Sequence, residues 1–119
     1  MNDSNSTRRR VIRVLLFSEL ERVTAGVVAE RLHMSGSTMR RHLQSEGTCY
    51  QDLLDAVRQH RCEKALARRW LPGKSLAAEL GFREPNSFYR AFQKWTGKSY
   101  TQYKRELRKK SLNHLSVLG

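Results

Sequence analysis

A seven-residue pattern occurs twice in this chain of 119 residues. Residues 28–34 (VAERLHM) align with residues 76–82 (LAAELGF), 48 positions further along the chain. Both segments read as an apolar residue, an alanine, two variable residues, a leucine, a turn residue and a second apolar residue. Beyond the turn the alignment resumes at a spacing of 49 positions, pairing Met39 with Phe88, Arg41 with Arg90 and Leu43 with Phe92. The repeat indicates two copies of one supersecondary unit.

The pattern is typical of a helix-turn-helix unit, in which two short helices cross at a steep angle. At their closest approach there is room only for a methyl side chain, and Ala29 and Ala77 stand at that position. The turn favours a residue that tolerates positive φ, so Gly81 suits it better than His33 does. The second helix of each unit is left with one face bare, and in this motif that face enters a DNA major groove.

Helical periodicity extends over most of the chain, and no strand pattern of useful length accompanies it. Thr24 and Ser35 are predicted N-caps of two short helices, and Ser99 with Gln102 forms a capping box for the last helix. Other spacings predict helices over about 8–20, 49–70, 74–80, 85–95 and 99–110. The predicted fold class is all-α, with two helix-turn-helix subdomains joined by a long linker helix.

Domain boundaries follow from these helices. We expect residues 1–47 to form an N-terminal segment and the first helix-turn-helix subdomain, and residues 48–70 to form the linker helix. Residues 71–110 are the second subdomain, and 111–119 are a C-terminal tail. Residues 1–6 are polar and expected to be loose. The tail either extends the last helix or covers a hydrophobic patch with its leucines.

The charge of the chain is strongly positive. Lys and Arg number 23 against 11 Asp and Glu, for a net charge of +12. Residues 83–110 alone hold nine basic and two acidic side chains, which gives this part a net +7. Such a balance favours an anionic partner, either nucleic acid, an anionic membrane or an acidic protein, and does not choose among them.

Several function classes have no support in the sequence. There is no apolar run long enough for a transmembrane helix and no secretory signal pattern, so a cytoplasmic protein is expected. Cys49 and Cys62 are too few for a disulfide scaffold or a four-cysteine zinc site, and the histidines lack ligand spacing. No catalytic residue set stands out. We therefore expect no metal, no cofactor and no enzymatic activity.

A family resemblance rests on the second unit. Residues 81–104 (GFREPNSFYRAFQKWTGKSYTQYK) resemble the second helix-turn-helix of AraC/XylS-type transcription regulators. The positions that match the family pattern in register are Gly81, Phe82, Phe88, Arg90, Phe92, Gly97 and Tyr103. Residues 29–58 resemble the family's first unit and the start of its linker helix. The departures are Tyr100 for a proline, Gln93 for a lysine, Lys104 for an arginine, His33 for a glycine, and Pro72-Gly73 for a Ser-Ile pair.

The resemblance implies a sequence-specific, double-stranded DNA-binding transcription regulator, an activator that inserts two recognition helices into adjacent major grooves. It also implies RNA polymerase as a partner, association with the bacterial nucleoid, and a separate N-terminal effector or dimerisation domain where the chain is part of a longer regulator. The alternative is a basic helical interaction module that binds an acidic protein or an anionic surface.

The resemblance also implies which residues contact DNA. The base-reading candidates are Ser37, Thr38, Arg40, Arg41 and Gln44 in the first unit and Pro85, Asn86, Tyr89 and Arg90 in the second. The phosphate-binding candidates are Lys74, Arg83, Lys94, Lys98 and Lys104. Arg41 and Arg90 are expected to bond guanine, and Asn86 to bond adenine. Five aromatic residues are expected in the core rather than stacked on bases: Trp70, Phe82, Phe88, Phe92 and Trp95.

Overall fold

A computed structural model of the protein describes the backbone of residues 6–118 and the side chains of residues 6–110. The described part is helical and contains no strand, which confirms the all-α fold class. The helices are α1 (Thr7–Leu16), α2 (Ala25–Arg31), α3 (Gly36–Ser45), α4 (Tyr50–Arg68), α5 (Gly73–Glu79), α6 (Pro85–Thr96) and α7 (Tyr100–Leu118). None of these helices is both long and apolar enough to cross a membrane.

The first unit consists of α1, α2, α3 and the first half of α4, packed around an aliphatic core. Thr24 and Ser35 cap α2 and α3 as predicted, since their hydroxyl oxygens accept hydrogen bonds from the N–H groups of Val27 and Thr38. The buried side chains are Val11, Leu15, Leu20, Val28, Ala29, Leu32, Met39, Leu43, Leu53, Leu54 and Val57. This core holds α3 with its apolar face inward.

The second unit consists of the second half of α4 with α5, α6 and α7, and its core is aromatic. The buried side chains are Cys62, Leu66, Leu71, Leu76, Ala77, Leu80, Phe88, Phe92 and Tyr100. Phe82 and Trp95 are half-buried against this core, in line with the prediction for them. The Tyr100 hydroxyl donates a hydrogen bond to the Leu71 carbonyl, so the residue that replaces the family's proline ties α7 to the end of the linker.

The two turns adopt the backbone conformation that the repeat predicts. His33 has φ of 59° and Gly81 has φ of 83°, both in the left-handed region. The N–H groups of Met34 and Phe82 bond to the carbonyls of the two predicted alanines, five residues back. The turn geometry is therefore the same in both units even though one of them uses histidine.

Four predictions about local structure need correction. α1 ends at Leu16 instead of near residue 20, because the Ser18 hydroxyl bonds the Val14 carbonyl and competes with the helical backbone. Ser6, expected to be loose, caps α1 through a hydrogen bond from the N–H of Arg9. In the predicted capping box only Ser99 bonds the helix start, since the Gln102 side chain bonds Glu106 instead.

The fourth correction concerns Trp70, which is 40% exposed and lies outside the core. α4 ends at Arg68, and Arg69 is fully extended with φ of −163°. This turns Trp70 outward and places Leu71 in the core position.

The last helix runs through the predicted boundary at residue 110, since the α7 backbone continues to Leu118. The alternative in which residues 111–119 cover a hydrophobic patch concerns side chains outside the described residues. The expected looseness of residues 1–5 likewise lies outside them.

Two arginines of α4 hold the two units together. The Arg61 guanidinium donates to the carbonyls of Leu15 and Ser18 at the end of α1, at 3.4 and 2.6 Å. The Arg58 guanidinium donates to the carbonyls of Leu80 and Gly81 at the end of α5, at 2.9 Å each. Since the two residues are three positions apart on one helix, adjacent turns of α4 bind opposite units.

Candidate nucleic-acid interface

The first candidate recognition helix is α3, which separates apolar and polar residues cleanly. Met39 and Leu43 are buried one turn apart. The opposite face leaves four of the five predicted base-reading residues exposed: Ser37, Arg40, Arg41 and Gln44. The fifth, Thr38, is half-buried and its hydroxyl accepts a hydrogen bond from the Ser35 hydroxyl.

The second candidate recognition helix is α6, with Phe88 and Phe92 buried. Pro85 occupies its first turn and is half-buried. Asn86 and Arg90 are exposed and lie one turn apart, as a pair of base-contacting side chains on one helix face requires. The structure therefore brings the predicted exposed residues of α6 onto a common surface.

Tyr89 is positioned differently from its predicted neighbours. Its ring lies between Phe88 and Tyr100, with centroid distances of 5.6 and 6.1 Å. Its hydroxyl also fits tightly against α5, because a Cβ atom at Gly73 would lie 2.5 Å from the Tyr89 oxygen. The side chain is half-buried, and only its outer edge borders the surface beside Arg90.

The structure divides the five phosphate-binding candidates into two groups. Lys74, Arg83 and Lys94 are exposed, and among the side chains of residues 6–110 none of them forms an ion pair. Lys98 pairs with Glu106 at 2.5 Å, and this hydrogen bond holds the pKa of the Glu106 carboxyl below its ordinary value. The Lys104 ammonium lies over the Trp70 ring, 4.7 Å from its centroid. The last two cations are therefore already engaged within the protein.

Two features of the site were missed by the sequence reasoning. Arg58 and Arg61 of the linker helix were assigned no role, although their spacing of three residues is a usable signal. The first turn of α7 is the other feature. Ser99 and Thr101 border the same shallow cleft as Arg90. The Ser99 cap was visible in the sequence, but its position beside α6 depends on the tertiary fold.

Cysteine and metal chemistry find little support in the described residues. Cys62 is buried, and burial raises the pKa of its thiol to about 12, which disfavours the reactive thiolate. Cys49 is exposed at the start of α4. Over residues 6–110, no cluster of three or more His, Cys, Asp or Glu side chains is arranged to hold a metal ion.

Comparison with known proteins gives consistent matches. Residues 28–106 match the model of a family described as a helix-turn-helix domain. The ornithine utilization regulator of Pseudomonas aeruginosa is 43% identical over 100 residues, which cover 80% of this chain and 28% of that protein. The chain thus spans little more than a quarter of this curated relative.

Two solved structures have the same fold. A DNA-binding transcriptional dual regulator from Escherichia coli K-12 superposes with a TM-score of 0.76 at 26% identity, over 85% of this chain and 91% of that chain. The transcriptional regulator CdpR from Pseudomonas aeruginosa superposes with a TM-score of 0.76 at 31% identity, over 87% of this chain and 33% of that chain.

Proposed function

Since the chain belongs to the AraC-type helix-turn-helix family, we propose that it is a sequence-specific transcription regulator that binds double-stranded DNA and is not an enzyme. In the proposed complex, α3 and α6 enter adjacent major grooves on one side of the duplex. The observation that carries the proposal is the repeated helix: each of these helices buries two apolar residues and exposes a polar, basic face.

The proposed base contacts follow from the exposed side chains. Arg41 and Arg90 occupy equivalent positions in the repeat, and each donates two hydrogen bonds to O6 and N7 of a guanine. Asn86 bonds adenine, and Arg40 contacts either a base or a phosphate. The other base-reading candidates make contacts of shorter reach: Ser37, Thr38 and Gln44 on α3, and Pro85 and the outer edge of Tyr89 on α6.

The proposed phosphate contacts come mainly from the second unit. Lys74, Arg83 and Lys94 are the stronger candidates, because no ion pair among the described side chains offsets their charge. Lys98 and Lys104 are weaker candidates, because contact with DNA must compete with Glu106 and Trp70. These contacts set affinity and position rather than sequence preference.

A single copy of the chain is sufficient for this binding mode. The two units differ in sequence, so the proposed site is asymmetric, and its halves lie about 34 Å apart, one turn of the duplex. Since Arg58 and Arg61 hold the units on one helix, a spacing that does not fit straight DNA requires either that the DNA bend or that one unit disengage.

The biological setting is proposed from the family. We place the protein at the nucleoid in the cytoplasm, where it activates transcription through contact with RNA polymerase. The curated relative is more than three times as long as the matched region. The activity of such a longer regulator, including an effector or dimerisation domain, is proposed only for the case in which this chain is its DNA-binding part.

Selection of bound duplexes from a random library tests the DNA-binding proposal. The full chain should enrich one asymmetric motif at about 0.15 M salt. Arg41→Ala and Arg90→Ala should each erase preference in a different half of the motif, at a cost of about 1 to 3 kcal/mol on the selected site. Arg13→Ala is the matched control, since it removes the same charge from the exposed face of α1.

Two outcomes would contradict the proposal. A library without any enriched motif would favour the basic interaction module instead. Equal losses for all three variants on selected and random DNA would assign Arg41 and Arg90 to the phosphate backbone.

A further inference from the structure

A groove with an apolar floor lies between the end of α4 and the middle of α7. Leu66, Ala67 and Leu107 line its floor, and the half-exposed Trp70 forms one end. The groove encloses about 490 Å³. The exposed indole ring of Trp70 leaves this part of the second unit more apolar than a solvent-facing surface requires.

The rim of this groove is wholly cationic. Arg68, Arg69, Lys104 and Arg108 surround the floor, and no acidic residue of the described chain lines it. None of the four forms an ion pair with a described carboxylate. Because the Lys104 ammonium lies against Trp70, a carboxylate bound there would also bring its own helix onto the indole ring.

The length of the groove matches a short helix. Its floor residues Leu66 and Ala67 also border a smaller apolar cavity that extends back along α4 to Gln59. From Gln59 to Arg68, where α4 ends, the helix rises about 14 Å, or two and a half turns, at 1.5 Å per residue. One face of α4 therefore presents apolar side chains between α6 and α7. The polar Gln59 and the acidic Glu63 border the far end of this strip, and the positive charge lies at the Trp70 end.

We propose that this groove binds an acidic amphipathic helix of a partner protein. An amphipathic helix lays its apolar face into such a groove, and its carboxylates then meet the cationic rim. A DNA backbone would match the charge but would leave Trp70 and Leu107 without apolar contact, so the floor favours a protein partner. The proposal goes beyond DNA binding and does not depend on it.

A peptide titration tests the proposal with the full chain. The probe is a synthetic helix of about four turns, 15 residues, with leucines at i, i+3, i+4 and i+7 and glutamates elsewhere. The control peptide has the same composition in scrambled order. The chain holds two tryptophans, so the indole N–H signal of Trp70 is identified in an NMR spectrum by its loss in Trp70→Phe. The amphipathic peptide should shift that signal with micromolar affinity and bind about ten-fold more tightly than the scrambled one.

Two double variants of α7 carry the same charge reversal, one at the groove rim and one outside it. Lys104→Glu with Arg108→Glu changes the rim, whereas Lys109→Glu with Lys110→Glu makes the same charge change outside the groove. The rim pair should weaken peptide binding by about ten-fold and the control pair by less than about two-fold. Both pairs should keep the helical circular dichroism of the parent, which establishes that the fold is intact.

Three results would overturn the proposal. Absence of a Trp70 shift would exclude the groove as the peptide site. If the rim pair and the control pair weakened peptide binding equally, the effect would come from overall charge and not from the groove. A larger loss of duplex DNA affinity for the rim pair than for the control pair, without a difference in peptide affinity, would assign the rim to the DNA backbone.

Discussion

The two helix-turn-helix units have the same turn geometry but different cores. The first is filled by valine, leucine and methionine, whereas Phe88, Phe92 and Tyr100 form the centre of the second. In the second unit Phe92 packs edge to face against Tyr100, with a centroid distance of 5.0 Å and an interplanar angle of 81°. The alanine and leucine of the repeated pattern are buried in both units. The pattern therefore fixes how the helices cross, and the rest of the core can vary in chemistry.

The two turn residues extend this contrast. His33 is exposed and adopts a left-handed φ of 59°. At Gly81 a Cβ atom would lie 2.3 Å from the Leu20 carbonyl oxygen, which belongs to the other unit. Glycine is thus required at the second turn by contact between the units as well as by φ, whereas the first turn accommodates an exposed histidine side chain.

Substitutions at the two turns should give the largest difference in the free energy of unfolding. Gly81→Ala places a methyl group against the Leu20 backbone at positive φ, and should lower the free energy of unfolding by about 3 kcal/mol. His33→Gly relieves a left-handed residue and should raise it by up to about 1 kcal/mol. Urea unfolding followed by circular dichroism measures both. Similar small losses for the two variants would show that the Leu20 contact is not tight.

Alkaline pH should destabilise the core of the second unit more than the core of the first. Burial raises the pKa of Cys62 to about 12 and also raises those of Tyr100 and Tyr103, all in the second unit. In the unfolded chain a thiol ionises near 9.0 and a phenol near 10.0. The stability that comes from keeping these groups neutral is complete below pH 9 and is lost as the pH rises towards 12.

By pH 11 the raised pKa of Cys62 alone should cost the second unit about 3 kcal/mol. In the first unit burial raises the pKa of Tyr50, and the charge of Arg58 opposes that shift. In a Trp70→Phe background, Trp95 fluorescence reports on the second core, and the Met39 methyl NMR signal reports on the first. Cys62→Ala should flatten the pH dependence of the Trp95 signal. Simultaneous loss of both signals would mean that the units unfold as one.

Arg58 and Arg61 of α4 should protect backbone amides of different units from hydrogen exchange. Arg58→Met and Arg61→Met retain the aliphatic bulk but remove hydrogen bonds to backbone carbonyls, for a loss of about 1.5 kcal/mol each. Hydrogen exchange should accelerate around residues 79–82 in the first variant and around residues 15–18 in the second. The same exchange pattern in both variants would refute this division of roles.

The smallest effect concerns DNA affinity. Lys94→Gln in the second unit should reduce the slope of log K against log salt by about 0.9, as expected for one phosphate contact. Arg13→Gln in the first unit is expected to leave the slope unchanged. Lys98→Gln should fall between them, because Glu106 already offsets its charge. Filter binding to random-sequence DNA over a salt series measures the slopes, and equal slopes for Lys94→Gln and Arg13→Gln would contradict the difference between the units.

Local physics explains which parts of the fold the sequence could predict. The positive φ at His33 and Gly81 and the caps at Thr24 and Ser35 depend on neighbouring residues, and all four were correctly anticipated. The same holds for the alternation that buries Met39 and Phe88 and exposes Arg41 and Arg90.

Features that depend on distant residues could not be predicted in this way. Trp70 points outward because of a single extended residue after α4, and its neighbour Lys104 comes from another helix. Tyr89 lies on the predicted face of α6, but its ring is held by α5 and Tyr100. Charge alone likewise did not reveal that Lys98 is paired with Glu106.

The contacts of Arg58 and Arg61 with opposite units give the protein a polarity. In the proposed DNA complex the two units cannot exchange places, so a site with unlike halves has a direction. Inverting such a site in a promoter would keep every base contact, yet it would turn the groove between α4 and α7 towards the opposite flank of the DNA. Site orientation would then carry information that affinity measurements on short duplexes do not detect.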